Sequence, residues 1–489
     1  MKKLFIVLFI GIEVLCSILG MAQNDVDAMR YSQLTFGGTA RFASMAGSMG
    51  ALGGDISTLS FNPAGVAVLR RSELSITPSF YAAGSSSTFN GSNSGDSKLN
   101  VNLGNIGLVG AVKLDEEKNG GWQFINFGFG YNRTANFHKR INIVGDNTSS
   151  SLLDSYVTAA NGHSSSDFDV FSTDLAYQTY LINPNLATAD TNDFNHVIRH
   201  YGEKQKKEIE SKGSMGEMFF SLGGNYKNKV FVGATVGVVH AAYSEESNYS
   251  EADTEDTIPN FKSFTYYQTL SSKGSIYWNG INFKVGVIVK PIEWLRVGVA
   301  VHAPTHLNFN DNYTSAMHSD LDNGVAYQSD TVKGKFSYSI TTPYRAIGSL
   351  GFVIKKIGLL NVEYEYVDYS YASLNSHPNV FGDVNSGIRS KYTATGNLRV
   401  GGEVRLDPVA FRIGYALYGS PFKKGDNKNA TRSSYTFGAG YRRDKFFIDG
   451  AYIFSAYSEK NYLYDSSTLE PVSTDYRSSS FMVTVGVRF

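Results

Sequence analysis

The last nine residues, FMVTVGVRF, put Phe481, Val483, Val485, Val487 and Phe489 on one face and Met482, Thr484, Gly486 and Arg488 on the other. Side chains with a period of two belong to a strand whose faces meet different surroundings. The pattern recurs in LRVGVAVHA from Leu295, LRVGGEVRL from Leu398, FRIGYALYG from Phe411 and VEYEYVDY from Val362. Connections between such runs alternate in length. Short ones fall near 114–121, 227–229, 290–294, 355–358, 407–408 and 442–446, and long ones near 84–99, 135–214, 244–271, 310–331, 372–390, 419–431 and 459–477.

A soluble sandwich has no reason to collect every long loop at one end, whereas a transmembrane antiparallel β-barrel does, with short periplasmic turns and long extracellular loops. The expected fold is therefore all-β, with the Leu/Val/Phe/Tyr face toward lipid and the Arg/Glu/Gly face toward the lumen. Tyr366, Tyr369, Tyr452 and Phe454 are expected at the interfaces, where aromatic residues gather. Runs from Glu73 onward number fifteen, which would leave the chain termini on opposite sides of the membrane. Reading 332–355 as one strand bulged at Pro343 gives about 14 strands and restores the alternation of loops. A bulge is where a closed sheet tolerates proline.

The start of the chain agrees. Lys2 and Lys3, an apolar stretch from Leu4 to Leu19 and the small exit Gly20-Met21-Ala22 describe a signal peptide, residues 1–22. A lipoprotein acylated at Cys16 is the alternative, but Leu15 stands where a small residue is expected. Cys16 is the only cysteine, so the mature chain has no disulfide to hold it. With 44 basic and 44 acidic residues the charge is balanced, which gives no basis for a nucleic-acid partner.

Between Gln23 and Arg70 the alternation stops. GGTARFASMAGSMGALGGDISTLSFNPAGVAVL is nearly free of long side chains, and its Ala and Gly residues permit close backbone packing. It lacks the phosphate-loop pattern. A barrel this wide has a lumen to fill, so residues 23–70 are expected to form a compact plug within a barrel made by 71–489. The alternative is a glycine-rich periplasmic extension.

This run, with Asp55, Ser57 and Thr58 followed by Asn62-Pro63-Ala64-Gly65, resembles the N-terminal hatch of the FadL-type outer-membrane long-chain fatty acid transport family. His302-Ala303-Pro304, Thr342-Pro343 and the terminal Phe489 extend the resemblance more loosely. It implies uptake of fatty acids or other hydrophobic molecules across the bacterial outer membrane, with capture by the loops, a lumenal pocket and hatch-controlled release. Asp55, Asn62, Pro63, Ala64 and Gly65 would form the gate, Pro63 and Gly65 bending the chain into the first strand. Gly128 and Gly130 are candidates for a kink opening the wall, or are ordinary barrel glycines beside bulky aromatics. Arg296, Arg399, Arg405 and Arg412 can anchor a carboxylate head group, or pair with Glu363, Glu365 and Glu403 in a charge ladder. One departure from the family is the long 135–214 loop, whose DFNHVIRHYGEKQKKEIE reads as helix.

No enzyme is expected. His196 and His200 have i,i+4 spacing but no Glu in H-E-x-x-H register, and Asp320, Asp322 and Asn323-Gly324 lack the closing Glu of a calcium loop. No metal or cofactor is expected. The expected partners are a hydrophobic small molecule, outer-membrane lipid and, through the strand ending at Phe489, the barrel-assembly machinery, with the chain itself a monomer. The competing reading is a barrel that docks in a secretion or surface-attachment system and carries no hydrophobic cargo.

Overall fold

In the computed structural model, which describes residues 24–188, 190–274, 279–355, 357–464 and 469–489, the alternating runs form one closed antiparallel wall. The expected signal peptide lies outside these residues. The strands are β1 (Glu73–Phe89), β2 (Ser92–Lys113), β3 (Trp122–Asn136), β4 (Lys204–Tyr226), β5 (Val230–Ala252), β6 (Ser263–Lys273), β7 (Gly280–Ile292), β8 (Leu295–His302) and β9 (His306–Asp320). The run kinked at Pro343 is β10, with arms Val332–Thr341 and Arg345–Ile354. Then follow β11 (Gly358–Asp368), β12 (Ala394–Leu406), β13 (Val409–Tyr418), β14 (Arg432–Arg443), β15 (Phe446–Asn461) and β16 (Val472–Arg488).

Among the described residues the wall has sixteen strands in place of the expected fourteen, because two more runs are interrupted. One breaks between Lys273 and Gly280, and the other at Ala303-Pro304-Thr305, where Pro304 has no N–H to give a ladder. The arms share neighbours: β6 and β7 both pair with β5, β6 pairs with β9, and β7 pairs mainly with β8. Closure comes from β1, which pairs with β2 on one side and with β16 on the other, from Glu73↔Arg488 to Thr88↔Ser473. An apolar solvent cannot satisfy a free strand edge, so closure is what permits such a sheet in lipid.

The two faces separate as the alternation requires. Leu74, Ile76, Phe80, Phe127, Phe129, Val299, Phe411, Ile413 and Phe481 are exposed outward, and Glu363, Glu365, Arg399, Glu403, Arg412 and Asp449 are buried inward. Tyr366 and Tyr452 are outward, whereas Tyr369 is buried, because the chain leaves β11 in a single turn that swings its ring inward.

The long connections meet at one end in a hydrophobic cap. Helices α3 (Leu152–Ala160) and α4 (Thr173–Gln178) bring Leu153, Tyr156 and Leu175 against Tyr249, Phe264 and Met317 at the far ends of the wall strands. The helix expected in DFNHVIRHYGEKQKKEIE is absent. Phe194–His196 pairs with Ile182–Pro184, and from Lys204 the chain is already β4, paired with β5 and with the inner strand Lys139–Asp146. Charged residues concealed a period of two there: Gln205 and Ser211 point inward, fully buried.

A polar knot lies under the cap, beyond the membrane-spanning part of the strands. Glu251 accepts hydrogen bonds from Ser151 Oγ (2.5 Å), Leu152 N (2.8 Å) and Tyr249 O–H (2.5 Å), while Gln205 Nε2 donates to both Glu251 (3.2 Å) and Glu203 (3.1 Å). Burial pushes the Glu203 carboxyl up to about 7; burial, then the neighbouring Glu203 charge, push Glu251 up to about 8. Acids raised in this way hold protons that the opened cap releases, so cap stability falls as pH rises from about 4.5 through 8. Amide exchange across 147–205, corrected for intrinsic rate, is expected to be several-fold slower at pH 5.5 than at pH 8.5. Glu251→Gln should flatten that difference, and equal protection at both pH values in the parent would contradict the assignment.

Candidate functional site: the segment inside the wall

The chain before β1 lies within the ring and is built from short capped pieces. Asn24 caps α1 (Asp25–Ser32) by accepting from Val26 N at 2.9 Å. The Arg30 guanidinium lies 3.8 Å from the Tyr243 ring centroid and pairs with Asp27. Tyr31 stacks on Phe309, with ring centroids 4.3 Å apart, and meets Phe137 edge-on. At the helix start Asp25 pairs with Lys391 (3.1 Å) and accepts from Tyr392 O–H (2.9 Å), which ties α1 to helix α5 (Gly382–Lys391) in the loop after β11.

Thr39 caps α2 (Ala40–Ser44), and its hydroxyl donates to Asp55 at 2.8 Å. Asp55 in turn caps the turn Ile56–Ser60 by accepting from Ser57 N at 3.0 Å, and Thr39 N donates to Ser57 Oγ at 2.7 Å. Asp55, Ser57 and Thr39 thus staple the two halves of the segment together.

Asn62-Pro63-Ala64-Gly65 is not the bend into the first strand. Asn62 caps a short 3-10 helix, Pro63–Val68, by accepting from Ala64 N at 3.1 Å, and its amide donates to Gly50 O at 2.7 Å. Pro63 occupies the first helical position, where its missing N–H costs nothing. Gly65 lets the chain approach Thr58 and Gly53, since a Cβ there would sit 2.2 Å from Thr58 Oγ1. The whole motif is buried, and β1 starts only at Glu73.

The wall grips this segment from all sides through polar groups. Thr484 Oγ1 accepts from Ala40 N (2.7 Å), Thr436 donates to Ser44 O (2.8 Å), and Thr235 donates to Leu59 O (2.9 Å). Asn126 donates to Val66 O and Leu69 O, and the His302 ring meets Phe61 O at 2.6 Å. Glu363 accepts from Gly50 N at 2.8 Å.

The four arginines singled out in the sequence fall into this contact zone. Arg399 pairs with Glu363 (2.8 Å) and Glu365 (3.1 Å). Arg412 pairs with Glu403 (2.6 Å) and Asp449 (2.7 Å), and the half-exposed Arg405 also reaches Glu403 at 2.6 Å. Arg296 instead donates to Leu52 O at 2.6 Å. Sequence reasoning missed Arg41, which meets Glu403 at 3.0 Å and donates to Gly54 O. Its signal was present, since Arg41 is the one charged residue between Arg30 and Asp55.

Gly128 and Gly130 sit in regular ladder pairs, with Val109 and Gly107 on one side and Ser221 and Phe219 on the other. No kink falls on them; Gly128 is small because Leu59 occupies the place of its Cβ. The interruption lies just beyond. The β2–β3 ladder ends at Asn105↔Asn132, and β3 slips register between Arg133 and Ala135. Above that point β2 pairs with β1 alone. The bulged Thr134 carbonyl accepts from Thr35 N and Thr35 Oγ1, both at 2.9 Å, and Arg133 Nε donates to Leu103 O at 3.2 Å across the opening.

Beside the segment, Tyr31, Phe61, Lys284, His302 and Arg345 line a cavity of about 40 Å³. That holds a little water and is far below the ~300–1,000 Å³ of a small-molecule pocket.

A closed barrel with an apolar outer face and an occupied lumen has the form of an outer-membrane barrel protein. No protein-family model and no curated protein sequence matches the chain. Among solved structures it is similar to a Pseudomonas aeruginosa FadL homologue, with 14% identity and a TM-score of 0.56, covering 93% of this chain and 99% of that one. It is also similar to the Ralstonia pickettii toluene transporter TbuX (13% identity, TM-score 0.50, 93% and 98% covered) and to the monoaromatic hydrocarbon channel CymD (11%, 0.50, 93% and 98%). The fold is that of FadL-type channels, as the resemblance of the N-terminal stretch implied.

Removing the Glu403 charge leaves Arg412 with Asp449 alone and the buried Arg41 with only the Gly54 carbonyl, while the half-exposed Arg405 turns to water. Breaking such a buried arrangement costs about 3–5 kcal/mol. Glu403→Gln is expected to lower the melting temperature and to speed amide exchange in 39–69 more than in the wall strands. Uniform exchange changes across wall and segment would contradict the role given to Glu403.

Proposed function

We propose that the chain is an outer-membrane channel for the uptake of hydrophobic molecules, long-chain fatty acids among them, with residues 24–70 as its hatch. The observation that carries this reading is the combination of a polar, all-round attachment of the inner segment with a cavity too small for cargo. A molecule with a long alkyl chain gains about 0.8 kcal/mol per buried methylene, so an apolar chamber would hold it without specific contacts. What the channel needs is a way to make and unmake that chamber. Hydrogen bonds and ion pairs at the segment–wall boundary can be exchanged for water, whereas a greasy contact of the same area could not.

In this reading Asp55 and Asn62 keep the hatch folded as one body, and Arg41 with Glu403 fixes it to the wall. Movement near Thr35 would release Thr134 and free the interruption between β2 and β3, giving cargo a lateral way into the membrane. The similarity to channels and transporters for hydrophobic compounds supports the class of cargo.

Purified protein in lipid vesicles is expected to take up labelled oleate several-fold faster than protein-free vesicles. Replacing Asn62-Pro63-Ala64-Gly65 by a Gly/Ser linker should leave the barrel folded, judged by heat-modifiable gel mobility, and raise ion conductance in planar bilayers. If the parent shows no uptake while a protein partner co-purifies in detergent, the docking-subunit reading takes its place. A linker variant with parental uptake and conductance would reduce the motif to a structural turn.

A further inference from the structure

Cations collect where the wall is interrupted. Going up the outward face of β3, Ile125, Phe127 and Phe129 are exposed apolar residues, Tyr131 is half-buried, and Arg133 is the first charge. On β4 the outward series Leu222, Phe220 and Met218 is exposed, and past Gly216 and Ser214 the first charge is Lys212. Arg133 and Lys212 therefore stand at the upper edge of the apolar band, the level of lipid head groups.

Three more basic groups lie beside them. Lys98 on β2 and Arg140 on the inner strand Lys139–Asp146 both reach Glu210, at 2.5 Å and 3.1 Å, and Lys212 reaches the same carboxylate at 3.3 Å. His138 bridges Asn100 and Asn136 between them. Three permanent cations thus share one carboxylate, and the fourth, Arg133, is bound among the described residues only to the Leu103 carbonyl. Arg140 and Lys212 keep 46% and 47% of their side chains exposed, so unused donors face outward. Directly alongside, the stretch of β2 without a β3 partner carries Leu99 and Val101, exposed at 82% and 69%. Apolar groups this exposed beside a cationic rim match one kind of partner in charge and in shape.

We propose that this edge binds a phosphate-bearing lipid of the outer leaflet, its phosphate between Arg133, Arg140 and Lys212 and its acyl chain along Leu99 and Val101. The bound lipid would close the β2–β3 interruption from the membrane side. The site rests on the membrane reading of the barrel and not on the identity of any cargo.

The test is lipid retention, measured by native mass spectrometry of detergent-purified full-length protein titrated with monophosphoryl lipid A, phosphatidylglycerol or phosphatidylcholine. Saturable retention of the two anionic lipids is expected at concentrations where phosphatidylcholine is stripped, with no competition from millimolar inorganic phosphate. Each cation near an anionic lipid contributes roughly fivefold in affinity, so the double variant Arg140→Glu/Lys212→Glu should weaken retention at least about tenfold. Lys204→Glu/Lys206→Glu makes the same charge change farther out on β4 and should stay within about twofold of the parent. Glu210→Gln removes the competing carboxylate and should tighten retention, an effect that loss of structure would not produce. Equal retention of phosphatidylcholine, equal weakening in the two double variants, or weaker retention in Glu210→Gln would each overturn the proposal. Oleate uptake is a separate readout, so failure here and failure of the transport reading are distinguishable.

Discussion

Glu403 receives Arg41 from the inner segment and Arg405 and Arg412 from the wall, and Arg412 passes the contact on to Asp449. Glu363 and Glu365 hold Arg399 and Arg345 in the same way, and Glu363 also takes the Gly50 amide. Apart from the half-exposed Arg405 these groups are out of water, and each buried charge is tolerable there because its partners are fixed. The rest of the lumen depends on the arrangement. With the carboxylates paired, small residues such as Ala43, Gly50 and Ala51 can lie against the wall; without them the same space would hold uncompensated cations.

The choice of polar over apolar contacts has a mechanical meaning. A barrel lumen filled with aliphatic side chains would be a permanent core. Here hydroxyls, amides and ion pairs from the wall accompany the apolar contacts of the segment, so part of the boundary can be exchanged for water. Apolar contacts reach the wall as well, from Phe36 to Tyr418 and from Ile56, Leu59 and Val66 to Val109 and Phe219, and the aromatic cluster around Tyr31 lies at the end nearest the long loops, where α1 is also tied through Asp25 to Lys391 and Tyr392.

The alternation of FMVTVGVRF and its counterparts carried the fold, because lipid outside and polar groups inside force a period of two onto every spanning strand. The small-residue stretch carried the existence of something tightly packed before β1. Other features were hidden for physical reasons. Whether Asn62 bends the chain or caps a helix depends on the amide it meets, and that partner is two residues away in a conformation the sequence does not announce. The segment EKQKKEIE looked helical because charge masks a period of two when both faces are polar. The break at Ala303-Pro304-Thr305 had a visible signal in Pro304, and the one between Lys273 and Gly280 had Gly274 and the turn dipeptide Asn279-Gly280. The wall interruption was sought at Gly128 and Gly130, yet it follows from the register slip at Thr134, which no residue type marks.

The central claim is that the inner segment must move against the wall for cargo to pass. Ser48 Oγ and Asn361 Nδ2 lie 2.9 Å apart across that boundary, and the sole cysteine of the chain, Cys16, is in the expected signal peptide. The most direct measurement is oleate uptake by vesicles containing Ser48→Cys/Asn361→Cys, before and after reduction. Uptake should be arrested in the oxidised protein and restored by dithiothreitol. Full uptake with the disulfide intact would contradict the account.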